Sequence, residues 1–169
     1  MPDKEKPRSE AKSKSKKKDK SPWYREGLRF ECTQCGACCT THGEYSFLYL
    51  VDAEVQAIAH YLGLARAEFE QRYCRREDDW IVIRADQPDC PFLTADKRCS
   101  IYPVRPKQCR TWPFWDIHLE RAVWEGEVAK TCPGVGSGPT FSAAEVERIA
   151  RENEAWYEAP DYEITGETP

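Results

Sequence analysis

The chain has 169 residues, a formal net charge of −4 and nine cysteines. That length suits one domain with tails, and the absence of any apolar run of bilayer length excludes a membrane-spanning protein. The lysine-rich start lacks the apolar segment that a secretory signal requires. We therefore expect a cytoplasmic protein, in which the thiols stay reduced because disulfides rarely persist in that compartment.

Residues 1–22 form a lysine-rich segment with eight Lys, one Arg and four acidic residues. Because this segment has no Leu, Ile, Val or aromatic residue, it cannot bury enough apolar surface to fold, and we predict a disordered tail. A solvated tail is the simpler interpretation, and weak contact with nucleic acid or protein is the alternative. The remaining 147 residues carry a net charge of −9, which argues against nucleic acid as the partner of the folded part.

A strand and a helix are the first predicted elements of the folded part. The stretch "EYSFLYL" predicts a strand at about residues 45–50. Asp52 is the predicted N-cap of the helix that follows, and Gly63 is expected to end it in a left-handed conformation. One face of this helix carries the apolar residues at helical spacing, which are Val55, Ile58, Ala59 and Leu62.

The middle of the chain alternates between regular and irregular segments. A second short helix with Phe69 and Tyr73 on one side is expected to end near Cys74, and "WIVIR" at 80–84 predicts a strand. Five prolines between residues 87 and 115 exclude a long helix or a central strand there. We expect strand-like pieces at 116–130 and read "CPGVGSGPT" as a glycine-rich turn.

The last predicted element is a helix at about 143–158. Ser142 and Glu145 have the spacing of a capping box, and apolar residues recur along one face. Together the elements predict an α+β fold: a small single domain with an irregular cysteine-rich lobe. The predicted organisation is a domain at 23–138, a docked C-terminal helix at 139–159 and a flexible tail at 160–169.

Four cysteines lie within "CTQCGACC", and their spacing is typical of metal ligands. Cys32, Cys35 and Cys38 follow a C-x-x-C-x-x-C pattern, in which two intervening residues let a tight turn direct the sulfur atoms to one centre. The same run is found in bacterial ferredoxins, where a remote cysteine before proline completes the ligand set. Cys90 and Cys132 both precede a proline.

Cys38 and Cys39 are adjacent, so their side chains point in different directions. Their α-carbons lie about 3.8 Å apart, closer than the usual limit of about 4.4 Å for a disulfide. Two interpretations remain. The pair serves two metal centres or two edges of a cluster, or one of the two is a packed core thiol.

Eight of the nine cysteines lie in a context that suits ligands, enough for two tetrathiolate sites, and spacing alone does not choose between zinc and iron–sulfur. Cys74, at the end of an amphipathic helix, is interpreted as a buried structural thiol. Five basic residues near the later cysteines could offset the charge of a thiolate centre, or could be ordinary surface residues. They are Lys97, Arg98, Arg105, Lys107 and Arg110.

Other reactive side chains carry weaker signals. His42 has C-x-x-H spacing after Cys39 and is a candidate ligand, whereas His60 and His118 are interpreted as structural. Glu44 and Asp116 are the only carboxylates near the cysteine segments that we consider as reactive groups, and the catalytic residues, if there are any, stay unknown. The sequence has no Ser–His–acid pattern, phosphate-binding glycine loop or dinucleotide fingerprint.

Three cysteine blocks with their neighbours, "FECTQCGACC", "DCPFLTADKRCSIYPVRPKQCRTWPF" and "TCPG", resemble the cysteine-cluster (CxxCxxCC) family of proposed zinc- or iron-chelating proteins over about residues 30–135. The resemblance implies a zinc, iron or iron–sulfur centre. Its implied ligands are Cys32, Cys35, Cys38, Cys39, Cys90, Cys99, Cys109 and Cys132. One branch of this family is similar to flagellin N-methylases, but the sequence has no recognisable S-adenosylmethionine fingerprint.

Three functions are therefore compatible with the sequence. The first is a metal-binding protein that chelates zinc or iron without chemistry of its own. The second is an iron–sulfur enzyme or electron carrier for redox or group-transfer work, and whether the protein is an enzyme stays open at this point. The third is a binding module that the metal shapes and whose basic tail contacts an anionic partner.

Overall fold

The computed structural model describes residues 21–40, 47–84 and 89–158. Within these ranges the strands are β1 (Leu28–Phe30), β2 (Leu48–Leu50), β3 (Cys74–Glu77), β4 (Trp80–Ile83) and β5 (Val135–Phe141). The α-helices are α1 (Asp52–Tyr61), α2 (Arg66–Tyr73), α3 (Lys107–Thr111), α4 (Arg121–Val123), α5 (Ala129–Thr131) and α6 (Ala143–Glu158). Single 3₁₀ turns occur at Ala37–Cys39, Tyr102–Val104 and Asp116–His118. This mixture of helices and short strands is the α+β fold that the sequence predicts.

The first hydrophobic core lies between a three-stranded antiparallel sheet and two helices. The strand order is β2-β4-β3, and α1 and α2 cover the sheet. Val55, Ile58 and Phe69 are completely buried there, as their helical spacing predicts. We name this unit the sheet core.

The ends of α1 test the predicted caps. Gly63 follows the helix with φ +67°, the left-handed conformation that its position predicts. Asp52 is the first helical residue and the N-cap is Val51, so the predicted cap was wrong by one position. The reason is that the carboxylate of Glu54, not that of Asp52, accepts a hydrogen bond from Val51 N at 3.2 Å.

The second core surrounds a two-stranded antiparallel sheet of β1 and β5. Phe30, Phe114, Trp124 and Val146 pack together in it, and Val146 brings in α6. The predicted capping box of α6 is confirmed, because Ser142 N donates to the Glu145 carboxylate at 2.7 Å and Ser142 Oγ accepts from Glu145 N at 3.3 Å.

Two predictions in the second core were wrong. Residues 121–131 are helical and not strand-like, since a π-helical turn at Trp124–Val128 joins α4 to α5. The two buried ends of that turn are four residues apart, and the ion pair between Arg121 and Glu125 at 2.9 Å has the same spacing, both typical of a helix. The expected glycine-rich turn is largely strand β5. Glycine is needed at position 138 of this strand, because a Cβ at Gly138 would collide with the Glu31 side chain beside β1.

Some predictions fall outside the described residues. These are the disordered tail as far as residue 20, the flexible tail at 160–169, and the candidate residues His42 and Glu44. Among the helices that the structure describes, none has the length and apolar character needed to cross a membrane.

Candidate metal centre

The "CTQCGACC" segment turns sharply because two of its residues have left-handed backbone conformations. Gln34 has φ +54° and Gly36 has φ +73°. A Cβ at Gly36 would lie 2.6 Å from the Lys97 carbonyl oxygen, so only glycine lets this segment approach the loop at residues 93–99. The 3₁₀ turn at Ala37–Cys39 follows, with Cys39 N donating to Gly36 O at 2.9 Å.

Backbone hydrogen bonds connect the first cysteine block to the others. Cys90 N donates to Cys39 O at 2.8 Å, and Glu31 N donates to Gly134 O at 3.2 Å, next to Cys132. An isolated antiparallel bridge between Leu93 and Cys99 closes the loop of the second block. These contacts bring together segments that lie up to about one hundred residues apart in the sequence.

Cys109 is positioned by α3, and a buried carboxylate holds the start of that helix. Glu54, which is 7% exposed, accepts from Lys107 N at 2.6 Å and lies 3.8 Å from the Arg110 guanidinium. Burial raises the pKa of Glu54, and its backbone donors and Arg110 oppose that rise. Glu54 therefore ties α1 of the sheet core to the helix that carries Cys109.

Eight thiols line one cavity of about 560 Å³, and these are the eight that the sequence singles out. They are Cys32, Cys35, Cys38, Cys39, Cys90, Cys99, Cys109 and Cys132. The ninth, Cys74, is 4% exposed in the sheet core and does not line the cavity. All nine are free thiols in this structure.

The thiols interact with one another in pairs. A hydrogen bond with Cys39, together with burial, raises the pKa of Cys38 far above its ordinary value. The bond with Cys38 lowers the pKa of Cys39, but a hydrogen bond with Cys90 and burial outweigh it and raise that pKa to about 12. Burial raises the pKa of Cys99, Cys109 and Cys132 as well. Cys38, Cys39 and Cys90 therefore lie close enough for the pKa of one thiol to depend on its neighbours.

The crowding does not amount to a finished coordination shell. Within residues 21–40, 47–84 and 89–158, no group of three or more Cys, His, Asp or Glu side chains is arranged to hold a metal ion. The thiols face a common space without converging on one point. A ligand shell would thus require side-chain rotations around the cavity.

One of the five basic residues near the later cysteines interacts with the thiols. Lys97 lies 3.4 Å from Asp89 and Arg98 lies 3.7 Å from Asp96, while Arg110 approaches Glu54. Arg105 has no carboxylate partner among the described residues, and its guanidinium lies 3.9 Å from the centre of the Tyr102 ring. Its charge opposes the rise in the pKa of Cys38 and Cys99, so Arg105 faces these two thiols. Arg110 also lines the cavity, and Lys107 does not.

Two further donors point toward sulfur atoms and test whether the cavity suits a thiolate centre. Burial raises the pKa of Tyr102, and a hydrogen bond between its side chain and Cys32 adds to that effect. The buried indole N–H of Trp112 has no conventional hydrogen-bond partner among the described residues. It nevertheless counteracts the effect of burial by lowering the pKa of Cys132. Hydrogen-bond donors beside sulfur atoms suit metal-bound thiolates, which accept such hydrogen bonds. The donor set therefore fits zinc or iron.

The remaining candidate residues differ in whether they line the cavity. His60 is exposed on α1 and Asp116 is exposed at the start of a 3₁₀ turn, and neither lines the cavity. His118 does line it, although the sequence favoured a structural role. Tyr102 and His118 were not recognised as site residues because only the turns after Cys99 and Cys109 bring them to the thiols. The pattern of aromatic residues beside cysteine was their only signal.

Comparison with known proteins places the chain within a family. Residues 31–133 match the model of the CxxCxxCC family, described as "Putative zinc- or iron-chelating domain". The chain is 32% identical over 100 residues to Uncharacterized protein MJ0661 of Methanocaldococcus jannaschii. The matched residues cover 58% of this chain and 52% of that protein. The chain thus spans about half the length of this curated relative. No solved structure matches. Because the family model spans more than half of the chain and includes all eight cavity cysteines, the chain belongs to the CxxCxxCC family.

Proposed function

We propose that this protein binds zinc or iron in the cytoplasm through the eight cavity cysteines. The single observation that supports the proposal is the division of the thiols. Eight of them, from three separate cysteine blocks, line one cavity, while Cys74 lies in the sheet core. A soft, all-sulfur donor set favours zinc or iron over magnesium, calcium or manganese.

The number of thiols favours more than one metal ion. A structural zinc site takes four ligands, so eight thiolates suffice for two such sites or for a larger cluster. The adjacent Cys38 and Cys39 interact with each other, and Cys39 also with Cys90. This arrangement suits sulfur atoms that serve neighbouring metal ions.

Arg105, Tyr102 and Trp112 would complete the site when the metal is bound. A tetrathiolate centre carries excess negative charge, which Arg105 offsets. The hydroxyl of Tyr102 and the indole N–H of Trp112 would donate to the sulfur atoms of Cys32 and Cys132. Binding of the metal would further order the turns around Cys90 to Cys109.

An iron–sulfur cluster that carries out redox or group-transfer chemistry is the second candidate function. The cavity of about 560 Å³ favours it, since one zinc ion with four sulfur ligands needs less space. Methyl transfer, as in the flagellin N-methylases, is the most specific form of this candidate. It lacks support from an S-adenosylmethionine fingerprint in the sequence.

Metal analysis after purification without oxygen and without added metal tests both candidates. We expect stoichiometric zinc or iron, and acid-labile sulfide would favour the cluster over simple chelation. Protein that neither retains nor takes up either metal when supplied anaerobically would contradict the proposal.

A matched pair of cysteine variants tests which thiols bind. Cys35→Ala should lower the metal content, because Cys35 lines the cavity and is exposed, so its loss removes a ligand without opening the core. Cys74→Ala should keep the metal, although its loss from the sheet core lowers stability. Equal metal loss in two variants that both fold, as judged by circular dichroism, would contradict the assignment.

A further inference from the structure

Part of the cavity wall is built from aromatic rings. Trp115 stacks on His118 with ring centres 5.1 Å apart and an angle of 16° between the planes. Tyr49 meets the edge of Tyr157 at 5.2 Å. All four residues line the same cavity as the cysteines. We name Tyr49, Trp115, His118 and Tyr157 the aromatic corner.

The last helix connects the two halves of the aromatic corner. Trp115 Nε1 donates to Thr111 Oγ1 at 3.0 Å, and Thr111 Oγ1 donates to Asn153 Oδ1 at 2.9 Å. Asn153 and Tyr157 are four residues apart on α6 and so share one of its faces. This chain of contacts holds the Trp115 and His118 pair at the same side of the protein as Tyr157.

The hydrogen bonding of His118 leaves one ring nitrogen free. Its Nδ1 lies 3.1 Å from Pro113 O, and because a carbonyl only accepts, Nδ1 carries the proton. Burial lowers the pKa of His118, which keeps the ring neutral near pH 7. Its Nε2 therefore presents a lone pair, and that atom has no hydrogen-bond partner among the described residues. A fixed tautomer with one open acceptor suits recognition of a ligand that carries a donor.

The size of the cavity leaves room beside a metal centre. Its volume of about 560 Å³ lies within the range of about 300–1,000 Å³ that is typical of small-molecule sites. Such sites combine mainly apolar and aromatic walls with a few placed polar groups. The aromatic corner has this composition, with rings as its walls and the His118 nitrogen and the tyrosine hydroxyls as its polar groups.

We propose that the aromatic corner binds a small, flat, uncharged aromatic molecule that donates an O–H or N–H hydrogen bond to His118 Nε2. This inference goes beyond the proposed metal binding, since it places an organic ligand in the same cavity as the thiols. The ring of the ligand packs against Trp115 and the tyrosine edges, where aromatic contacts add to the burial of apolar area. The hydrogen bond to His118 Nε2 favours flat molecules that carry an O–H or N–H donor over flat molecules that carry none.

Three probes of similar size separate the two parts of the recognition. Phenol has a flat ring and a donor, anisole has the ring without the donor, and cyclohexanol has the donor without the flat ring. We expect phenol to bind the purified full chain, supplied with zinc, with a Kd on the order of 1 mM. Anisole and cyclohexanol should each bind about fivefold more weakly, which corresponds to one hydrogen bond or one aromatic contact. Titration followed by ligand-observed NMR measures all three.

Substitutions of His118 assign the preference to its Nε2. His118→Phe keeps a flat ring but removes the acceptor, so phenol should lose its advantage over anisole. His118→Gln, which retains an acceptor near the position of Nε2, should keep part of it. His60→Phe is the matched control, because His60 is exposed on α1 outside the cavity, and it should bind like the unchanged chain.

The outcomes distinguish this inference from the proposed function. Equal affinity of the unchanged chain for all three probes would overturn the aromatic corner as a binding site, even if His118→Phe does not fold. An unchanged preference for phenol in a folded His118→Phe variant would do the same. Zinc or iron content is measured separately on each sample. A chain that prefers phenol yet takes up no metal refutes the proposed function and leaves the inference supported.

Discussion

The sheet core and the cysteine loops at residues 89–118 reach order in different ways. In the sheet core, three strands form continuous ladders and helices bury Val55, Ile58 and Phe69 completely. The cysteine loops contain one isolated bridge, two 3₁₀ turns and the five-residue α3. Backbone hydrogen bonds in these loops join mainly near neighbours, and Phe92 and Ile101 are buried against the sheet core. Segments held by short turns open more easily than paired strands, so we expect the loops to depend on the contents of the cavity more than the sheet core does.

Removal of the metal should separate the two regions most strongly. Treating the metal-loaded protein with a chelator should speed amide hydrogen exchange in residues 89–118 by about tenfold or more, because metal binding is coupled to loop order. Exchange in α1 and α2 should stay within about twofold, since no side chain of these two helices lines the cavity. Mass spectrometry of peptide fragments measures both. A uniform change across the chain would remove the distinction.

Gly36 and Gly63 provide a matched pair for the contact between the first cysteine block and the loops. Both have positive φ, so alanine costs about 1–2 kcal/mol of backbone strain at either position. At Gly36 the new Cβ also meets the Lys97 carbonyl, whereas at Gly63 it meets nothing within 4 Å. We expect Gly36→Ala to lose about 2–4 kcal/mol of unfolding free energy and also metal. Gly63→Ala should lose about 1 kcal/mol and retain metal.

Denaturant unfolding and metal content, measured on both glycine variants, decide this prediction. A similar loss of stability in the two would mean that the collision at Lys97 is relieved by movement of the loop.

Glu54→Gln should weaken the connection between the two regions. The carboxylate accepts backbone hydrogen bonds on both sides, at Val51 and Lys107, and lies beside Arg110. Glutamine keeps only one acceptor oxygen and no charge, so we expect a loss of about 2 kcal/mol in unfolding free energy. Glu68→Gln, which breaks an exposed pair with Arg72 on α2, is the control and should cost about 0.5 kcal/mol or less. Equal costs by thermal denaturation would assign Glu54 no special role.

Asp52→Asn should have the smallest effect, confined to the sheet core. The hydrogen bond with Arg66 lowers the pKa of Asp52, so the pair stabilises the fold above the carboxyl's ordinary pKa of 3.8. That contribution is lost as the pH falls through the lowered value. Asp52 is 75% exposed, which limits the loss at pH 7 to about 0.5 kcal/mol. Metal content should not change, and a stability difference that persists at pH 2 would refute the electrostatic explanation.

The sequence predicts most where periodicity and caps act locally. Val55, Ile58 and Phe69 have helical spacing and lie buried, and Ser142 with Glu145 begins α6 as expected. Strand β5 was missed because its two glycines have low strand propensity; both have positive φ, and Gly138 also lies against the Glu31 side chain. The helical segment around Trp124 is short and contains a π turn, so its pattern does not keep one period.

The candidate site also combines features that the sequence predicts with features that it does not predict. Cysteine spacing predicts the eight thiols of the cavity because each block carries its own turn. The roles of Arg105 and His118 depend on distances across the fold. Of the five basic residues near the later cysteines, Lys97, Arg98 and Arg110 lie near acidic residues, and Arg105 is the one whose charge counteracts the raised pKa of Cys38 and Cys99. No spacing rule distinguishes His118, whose free nitrogen follows from a backbone carbonyl at Pro113.

Cys32 and Cys35 are exposed, while Cys90 and Cys132 are buried. We therefore expect metal to reach the cavity past Cys32 and Cys35. A donor protein or small chelate that delivers metal would meet these two sulfur atoms before the inner ones, and ligand exchange would carry the ion inward. The same exposure would make them the first to react with oxidants or alkylating reagents, so the path by which metal enters would also be the path of oxidative damage.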